Sequence, residues 1–469
     1  MSPLKKWQAL MFTVTFLAMV TRHACLASWS ISKTNVHDEE GFSKAELGYF
    51  DTSFLFFYAI GNFISGVLGD NYPLRFVTAG GMIIATGAYL AVTPTQIVFF
   101  GYSGISSFPA FMVFWAICGF AQSAVWPGGV AVISNWFPKH TRGKVMGFWS
   151  SNASVGDVVG QQIGGLMLGV LGANWKSVML VNAIMLGASA ILFALLVRDK
   201  PSSQLNSELN RVDEELLNRE TGQTEQQQTN APEKFGEDKP KKGISFWKAW
   251  LLPGVAIYAF GYACVKMLNY AFILWLPYYL ESDVKVQGVV LSAIASLYDI
   301  GGIVGSIVSG HYSDKIGYRS FVMLPMLAMS IPIMGVFRLG TPDTFWIYFI
   351  LVPIVGIMTG GPSNIISSAI AADLAQTPDI QENQEALATV AGIIDGTGGF
   401  GAAFGQTFIG LIATASWDMV FVFLMGKDYA GIAFLSLLTM SPMLFREVRL
   451  WKAARKNAQK QSVRPEETD

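Results

Sequence analysis

Two basic residues stand where a basic residue is hardest to keep. Arg22 falls midway along one apolar run and Lys266 midway along another, and an offset of 244 residues carries the first onto the second. A cation near the centre of a bilayer costs at least about 2.5–3.5 kcal/mol on insertion scales, so it persists only beside a partner or facing a cavity. Together the two bases have the makings of an anion clamp. Arg22 offers a planar two-donor fork that matches phosphate oxygens, and Lys266 a compact point charge. His23 adds a third donor, or tunes binding near neutral pH. The competing arrangement is an ion pair with an intramembrane acid, for which Asp157, Asp299, Asp395 and Asp428 are available.

Other polar or aromatic residues sit in the same apolar runs. Tyr58, Trp126, Tyr270 and Tyr298 could stack on a sugar or hydrogen-bond to it, although aromatic residues in such runs are usually packing. Asn152, Asn269 and Asn364 suit either a ligand or an interhelical hydrogen bond. Asp299 and Asp395 could balance Lys266 or stabilise their own helices. Glycines at near-helical spacing (Gly156, Gly160, Gly164 and Gly165; Gly301, Gly302 and Gly305) read as close-packing faces.

The elements that must position these residues follow from composition. Of 469 residues, 52% are hydrophobic and only 14% charged, with a mean hydropathy of +0.41. A soluble domain carries roughly 25% charge. The charges are also unevenly spread, with roughly 18 of the 65 in 198–242 and roughly 11 more in 446–469. This excludes a soluble enzyme, a disordered chain and a nucleic-acid binder. The chain is expected to be an all-α integral membrane protein. Three well-separated cysteines suggest neither a disulfide framework nor a metal site.

A spanning helix needs roughly 20 apolar residues. The pattern predicts twelve, near 8–31, 46–69, 76–96, 107–136, 144–171 and 176–197, then near 250–280, 287–311, 319–338, 344–372, 385–413 and 417–445. The first is too long for a secretory signal and carries Arg22 and His23, so it is expected to stay and span. Residues 198–246 lack the apolar area to fold alone and read as a polar linker with a helical patch around 204–220. The expected organisation is a six-helix bundle over 1–197, that linker, a second bundle over 247–446 and a basic tail over 447–469.

Lys5, Lys6, Arg75, Lys139, Arg142, Lys144, Lys315, Arg319 and the tail gather on one side. Lys33, Lys44, Lys176, Lys285 and Arg338 are assigned to the opposite loops. The positive-inside rule then places both termini and the linker in the cytoplasm. The halves also repeat. Gly66, Asp70 and Arg75 after the second span match Gly310, Asp314 and Arg319 after the eighth, again at an offset of 244. Asp70, Arg75, Asp314, Lys315 and Arg319 are candidate gating residues, since each acid could pair with bases across the cytoplasmic seam. The mid-span bases at equivalent depths belong where repeat-built carriers bind substrate.

The second copy, Gly310-x-x-x-Asp314-Lys315-x-Gly317-x-Arg319, is close to the loop motif of the major facilitator superfamily. Three stretches resemble its organophosphate:phosphate antiporters: Cys118 through Trp126-Pro127 to Trp149 and Asn152, Phe272-Ile-Leu-Trp275-Leu-Pro277, and Gly392-Ile-Ile-Asp395-Gly396-Thr397-Gly398. The likeness runs from about 8 to 445, and the last stretch points to the animal-type sugar phosphate exchangers.

The resemblance implies two pseudosymmetric six-helix bundles that exchange a phosphorylated sugar or glycerol phosphate for inorganic phosphate by alternating access. It implies that Arg22 and Lys266 grip the phosphoryl group, that no cofactor is needed, and that an endomembrane such as the endoplasmic reticulum is the location. Two positions depart from the pattern: His23 where a basic residue commonly follows the arginine, and Asn62 where bacterial and glucose-6-phosphate members carry lysine. Substrate identity is therefore not borrowed from those relatives. A proton-coupled symporter of another organic anion and a non-transporting membrane sensor remain alternatives. No Ser/His/Asp set, metal cluster or phosphate loop suggests an enzyme. The oligomeric state is left open.

Overall fold

The computed structural model describes residues 2–93, 107–221, 246–370, 384–426 and 431–462. Among the described residues there is no strand. Asp428 and residues 222–245 of the linker lie outside them.

Helices occupy all twelve expected positions. They are α1 (Pro3–Glu40), α2 (Lys44–Asn71), α3 (Leu74–Val92), α4 (Phe108–Gln122), α5 (Val125–Trp136), α6 (Lys139–Trp149), α7 (Asn152–Gly169) and α8 (Trp175–Leu196). A polar helix α9 (Ser203–Thr221) and a short α10 (Phe246–Trp250) follow. The second half contains α11 (Val255–Ser282), α12 (Gly288–Ile316), α13 (Ser320–Phe337), a 3₁₀ turn over Pro342–Ile347 and α14 (Tyr348–Ile365). It ends with α15 (Gln384–Ala415), α16 (Trp417–Met425) and α17 (Ile432–Ser462).

Among the described residues, eight helices are long and apolar enough to cross a membrane, counting α4–α5 and the 3₁₀ turn with α14 as one each. The other four expected positions hold α2, α6–α7, α15 and α16–α17. The helical patch expected near 204–220 is α9. α17 continues into the basic tail as far as Ser462.

Local sequence explains where these helices start and stop. Ser2 caps α1, which ends on Gly41 at φ +74°, a left-handed conformation that favours glycine. Two residues later Ser43 and Glu46 form a reciprocal capping box that opens α2. The expected span 107–136 is broken between α4 and α5 at Ser123, and the span 144–171 between α6 and α7 at Ser150. In each case the chain stays in helical backbone but the hydrogen-bond ladder skips.

The chain divides into two compact units. One comprises 1–242, 273–299 and 406–414; the other comprises 243–272, 300–405 and 415–469. The first is built around an aromatic core in which Trp29 meets Trp115 edge-on at 4.6 Å and Phe111 packs on Phe50 at 5.2 Å. Its outer faces expose Ile83, Ile84, Ile191, Leu192 and Leu195. That much uncovered apolar surface suits hydrocarbon, not water.

Segments 273–299 and 406–414 are held into this first unit by polar bonds. Ser30 donates to the Ile273 carbonyl at 2.8 Å, Gln162 to Ser296 Oγ at 2.7 Å, and Lys44 to the Ala413 carbonyl at 3.1 Å. The second unit packs Tyr258, Tyr262, Leu327, Ile366, Ile394 and Met440 into its own core.

Candidate functional site

In the first unit, α7 lies so close to α1 that two glycines are required. A Cβ at Gly156 would lie 2.6 Å from both His23 Cβ and the Val20 carbonyl oxygen, and one at Gly160 would strike the Ala24 backbone. This contact brings Asp157 beside His23. Arg22 is only 4% exposed although it is charged. Its Nη1 bonds His23 Nε2 at 2.9 Å, and its guanidinium sits 4.4 Å from the Tyr58 ring centroid. Arginine only donates, so His23 Nε2 accepts and the imidazole carries its proton on Nδ1. That nitrogen faces Asp157 Oδ1 at 3.5 Å. Among the described residues, Arg22 Nε has no hydrogen-bond partner.

Asp157 and Asp299 are both buried, at 4% and 5% exposure. The two carboxylates interact electrostatically, and the Arg22 charge also acts on Asp157. One turn beyond Asp157, Gln161 donates through Nε2 to Asp299 Oδ2 at 3.1 Å. Its own Oε1 and Asp157 Oδ1 have no hydrogen-bond partner among the described residues. Asp299 therefore keeps company with α7 and does not serve as the counter-ion of Lys266.

In the second unit, Lys266 on α11 pairs with Asp395 on α15 at 2.7 Å and lies 5.4 Å from the Tyr262 ring. Gly398 leaves room for the lysine stem, since a Cβ there would sit 3.0 Å from Lys266 Cδ. Asp395 is 50% exposed while Lys266 is 14% exposed, so the acid is wetter than the base. Tyr270, one turn along, adds an electrostatic interaction with Lys266. Asn269 is partly buried on the same helix.

The remaining candidates have separate surroundings. Trp126 packs on Trp149 at 5.3 Å, and Asn152 donates to the Trp149 carbonyl at 2.5 Å. Trp149 in turn donates to Thr15 Oγ1 at 3.0 Å, which ties this group to α1. Tyr298 is buried next to Asp299, and Asn364 donates to Ser306 Oγ at 2.5 Å.

In the loops, Arg319 bonds Asp314 and reaches Ser313 Oγ at 2.8 Å, while Lys315 is exposed. The Arg75 backbone N–H donates to Asp199 Oδ1 at 3.0 Å, which fastens the start of α3 to the segment that follows α8. The Asp70 side chain lies outside the described residues.

Lys33 is not a loop residue. It is fully buried inside α1, ion-paired with Asp51, donating to the Leu274 carbonyl at 3.0 Å and lying 4.2 Å from the Trp275 ring. Trp29 donates to the second oxygen of Asp51 at 2.8 Å. Sequence reasoning missed this pair because α1 runs 38 residues, far longer than a bilayer requires. Lys33 and Trp29 one turn apart, set against an acid one turn into the next apolar run, were the available signal. Gln161 was missed too, since it reads as part of a glycine-rich packing face.

The Major Facilitator Superfamily model matches residues 10–406. Sugar phosphate exchanger 3 of Bos taurus is 37% identical over 411 residues, covering 86% of this chain and 80% of that protein. The putative glycerol-3-phosphate transporter 3 of Arabidopsis thaliana is 33% identical over 449 residues, covering 90% and 84%. A bacterial homologue of the human lysosomal transporter Spinster, solved inward-facing and unoccupied, superposes with a TM-score of 0.61 at 15% identity, over 95% of this chain and 94% of that one. At that identity the likeness is one of fold.

Proposed function

We propose, from the premise that the chain belongs to the Major Facilitator Superfamily and within it to the sugar phosphate exchangers, that it carries a phosphorylated sugar or glycerol phosphate across a membrane in exchange for inorganic phosphate. The observation that carries this reading is Arg22: a guanidinium buried mid-helix, with an aromatic ring on one face and an Nε donor without a partner among the described residues. Leaving such a donor unmatched in a dry interior costs about 1–3 kcal/mol. A phosphoryl oxygen would satisfy it.

In this reading Arg22 supplies the directional fork and Lys266 the second charge. A phosphate near −2 would match the two bases, and taking a charged base out of water without such an anion carries a desolvation cost. Either phosphate or a phosphate ester meets the requirement, so alternating access yields exchange without a cation gradient. Asp395 qualifies the scheme. It already neutralises Lys266 at rest and must yield some of that charge when the anion arrives. The relatives are named as transporters, and transport, not an enzymatic step, is what these groups suit.

The two halves are proposed to act as six-helix bundles over 1–197 and 247–446, with termini and linker cytoplasmic on the positive-inside argument. An endomembrane, such as the endoplasmic reticulum, is the proposed location.

The test is counterflow into proteoliposomes with a panel of labelled phosphate esters. Uptake is expected for at least one ester, and only with phosphate or an ester inside. Uptake driven by a pH gradient without internal phosphate would contradict exchange in favour of symport. Ligand binding without flux would contradict transport in favour of a sensor.

A further inference from the structure

The acid pair on α7 and α12 has more acceptors than donors. Asp157 Oδ1 and Gln161 Oε1 are buried and without hydrogen-bond partners among the described residues, while Asp299 receives the Gln161 amide. All three side chains are at least nine-tenths buried. Buried acceptors of this kind nearly always find a donor, and two buried carboxylates that interact electrostatically resist ionising together. With His23 Nδ1 no nearer to Asp157 Oδ1 than 3.5 Å, a proton on the pair would supply the donor.

We propose that His23, Asp157, Gln161 and Asp299 form a proton-binding site that loads one proton when a phosphate dianion takes over Arg22. This rests on the proposed function, because the anion is the one that function carries. Without ligand, the Arg22 charge acts on Asp157 through neutral His23, which lies between them and presents Nδ1–H to the carboxylate. A dianion on the guanidinium offsets that charge and adds negative charge nearby. The acid pair answers by taking up a proton, shared between carboxylates and held by the Gln161 carbonyl. Anion and proton are then bound together, and each leaves when the other does.

The charged and titratable groups that bear on the site come from five elements, Asp157 itself lying on α7. Arg22, His23 and Cys25 lie on α1, Tyr58 on α2 over the guanidinium, Cys118 on α4 within reach of the Arg22 field, and Asp299 on α12. Of these, only Asp157 and Asp299 are carboxylates, and Gln161 bridges their helices. Gly156 holds the arrangement at contact distance.

The proton is counted by calorimetry on the full-length protein in detergent. Glycerol 3-phosphate is titrated at pH 8, where a phosphate ester with a second pKa of about 6 is already a dianion. Repeating the titration in buffers of different ionisation enthalpy gives the protons taken up per ligand bound. The wild type should take up close to one. Asp157→Asn should bind with uptake near zero, and Asp299→Asn should do the same should the first variant fold poorly. Binding without proton uptake in the wild type overturns the site. So does uptake that both variants keep, since the proton then resides on the ligand. If no ester of the counterflow panel binds, the transport reading fails first and this one falls with it.

Discussion

Arg22 and Lys266 are related by an offset of 244 residues and carry the same charge, yet their surroundings differ. Lys266 has a counter-ion of its own, in direct contact and half exposed to solvent. Among the described residues Arg22 has none in direct contact. Its neighbours are a neutral imidazole and a tyrosine ring, and the acid that answers its charge stands one residue further off, behind His23. A base with a contact partner can exchange that partner for a ligand at modest cost. A base with an unpaired donor waits for the ligand itself. Under the proposed exchange, geometry should therefore matter at 22 and charge at 266.

The largest effect separates them outright. Arg22→Lys keeps the charge but loses the fork, and charge-assisted hydrogen bonds at about 1.5–3 kcal/mol each imply exchange falling on the order of 100-fold. Lys266→Arg should stay within roughly tenfold of wild type by the same conversion. Equal losses in counterflow rates would break the comparison.

A third buried base, Lys33, sharpens it through stability. Asp51→Ala leaves Lys33 charged and unpaired in a fully buried place, which typically costs about 3–5 kcal/mol. Thermal unfolding followed by tryptophan fluorescence should show a clear fall in Tm, and an unchanged Tm would mean that Lys33 is solvated or neutral. Asp395→Asn should do far less to Tm because that acid is half exposed. By freeing Lys266 it should raise phosphate affinity by roughly two- to tenfold, within about 1.4 kcal/mol. Weaker binding would show that Asp395 orients the lysine instead of competing for it. The smallest effect is expected at Gly156→Ala, which forces His23 and α1 outward, lowering Tm by about 2–4 °C per kcal/mol of strain and reducing the proton count in the calorimetric assay.

Much of this was legible in the sequence, and the exceptions share a physical cause. The twelve helical positions and the linker helix follow from hydropathy and composition, which are local or periodic signals. Partner choice is neither. Asp157, Asp299 and Asp395 look alike in sequence, but Asp395 falls to Lys266, Asp299 to Gln161, and Asp157 faces His23, because helix rotation and the absence of a Cβ at Gly156 and Gly398 decide which side chains meet. Lys33 illustrates a different failure. Counting it as a loop base assumed a helix of bilayer length, whereas α1 continues to Glu40 and draws Lys33 inside.

The most direct measurement of the central claim is phosphate-driven uptake into proteoliposomes by Arg22→Ala and Lys266→Ala, each compared with wild type at equal reconstituted amount. Both variants should lose exchange while remaining folded by fluorescence. Near-normal exchange by either one would contradict the clamp.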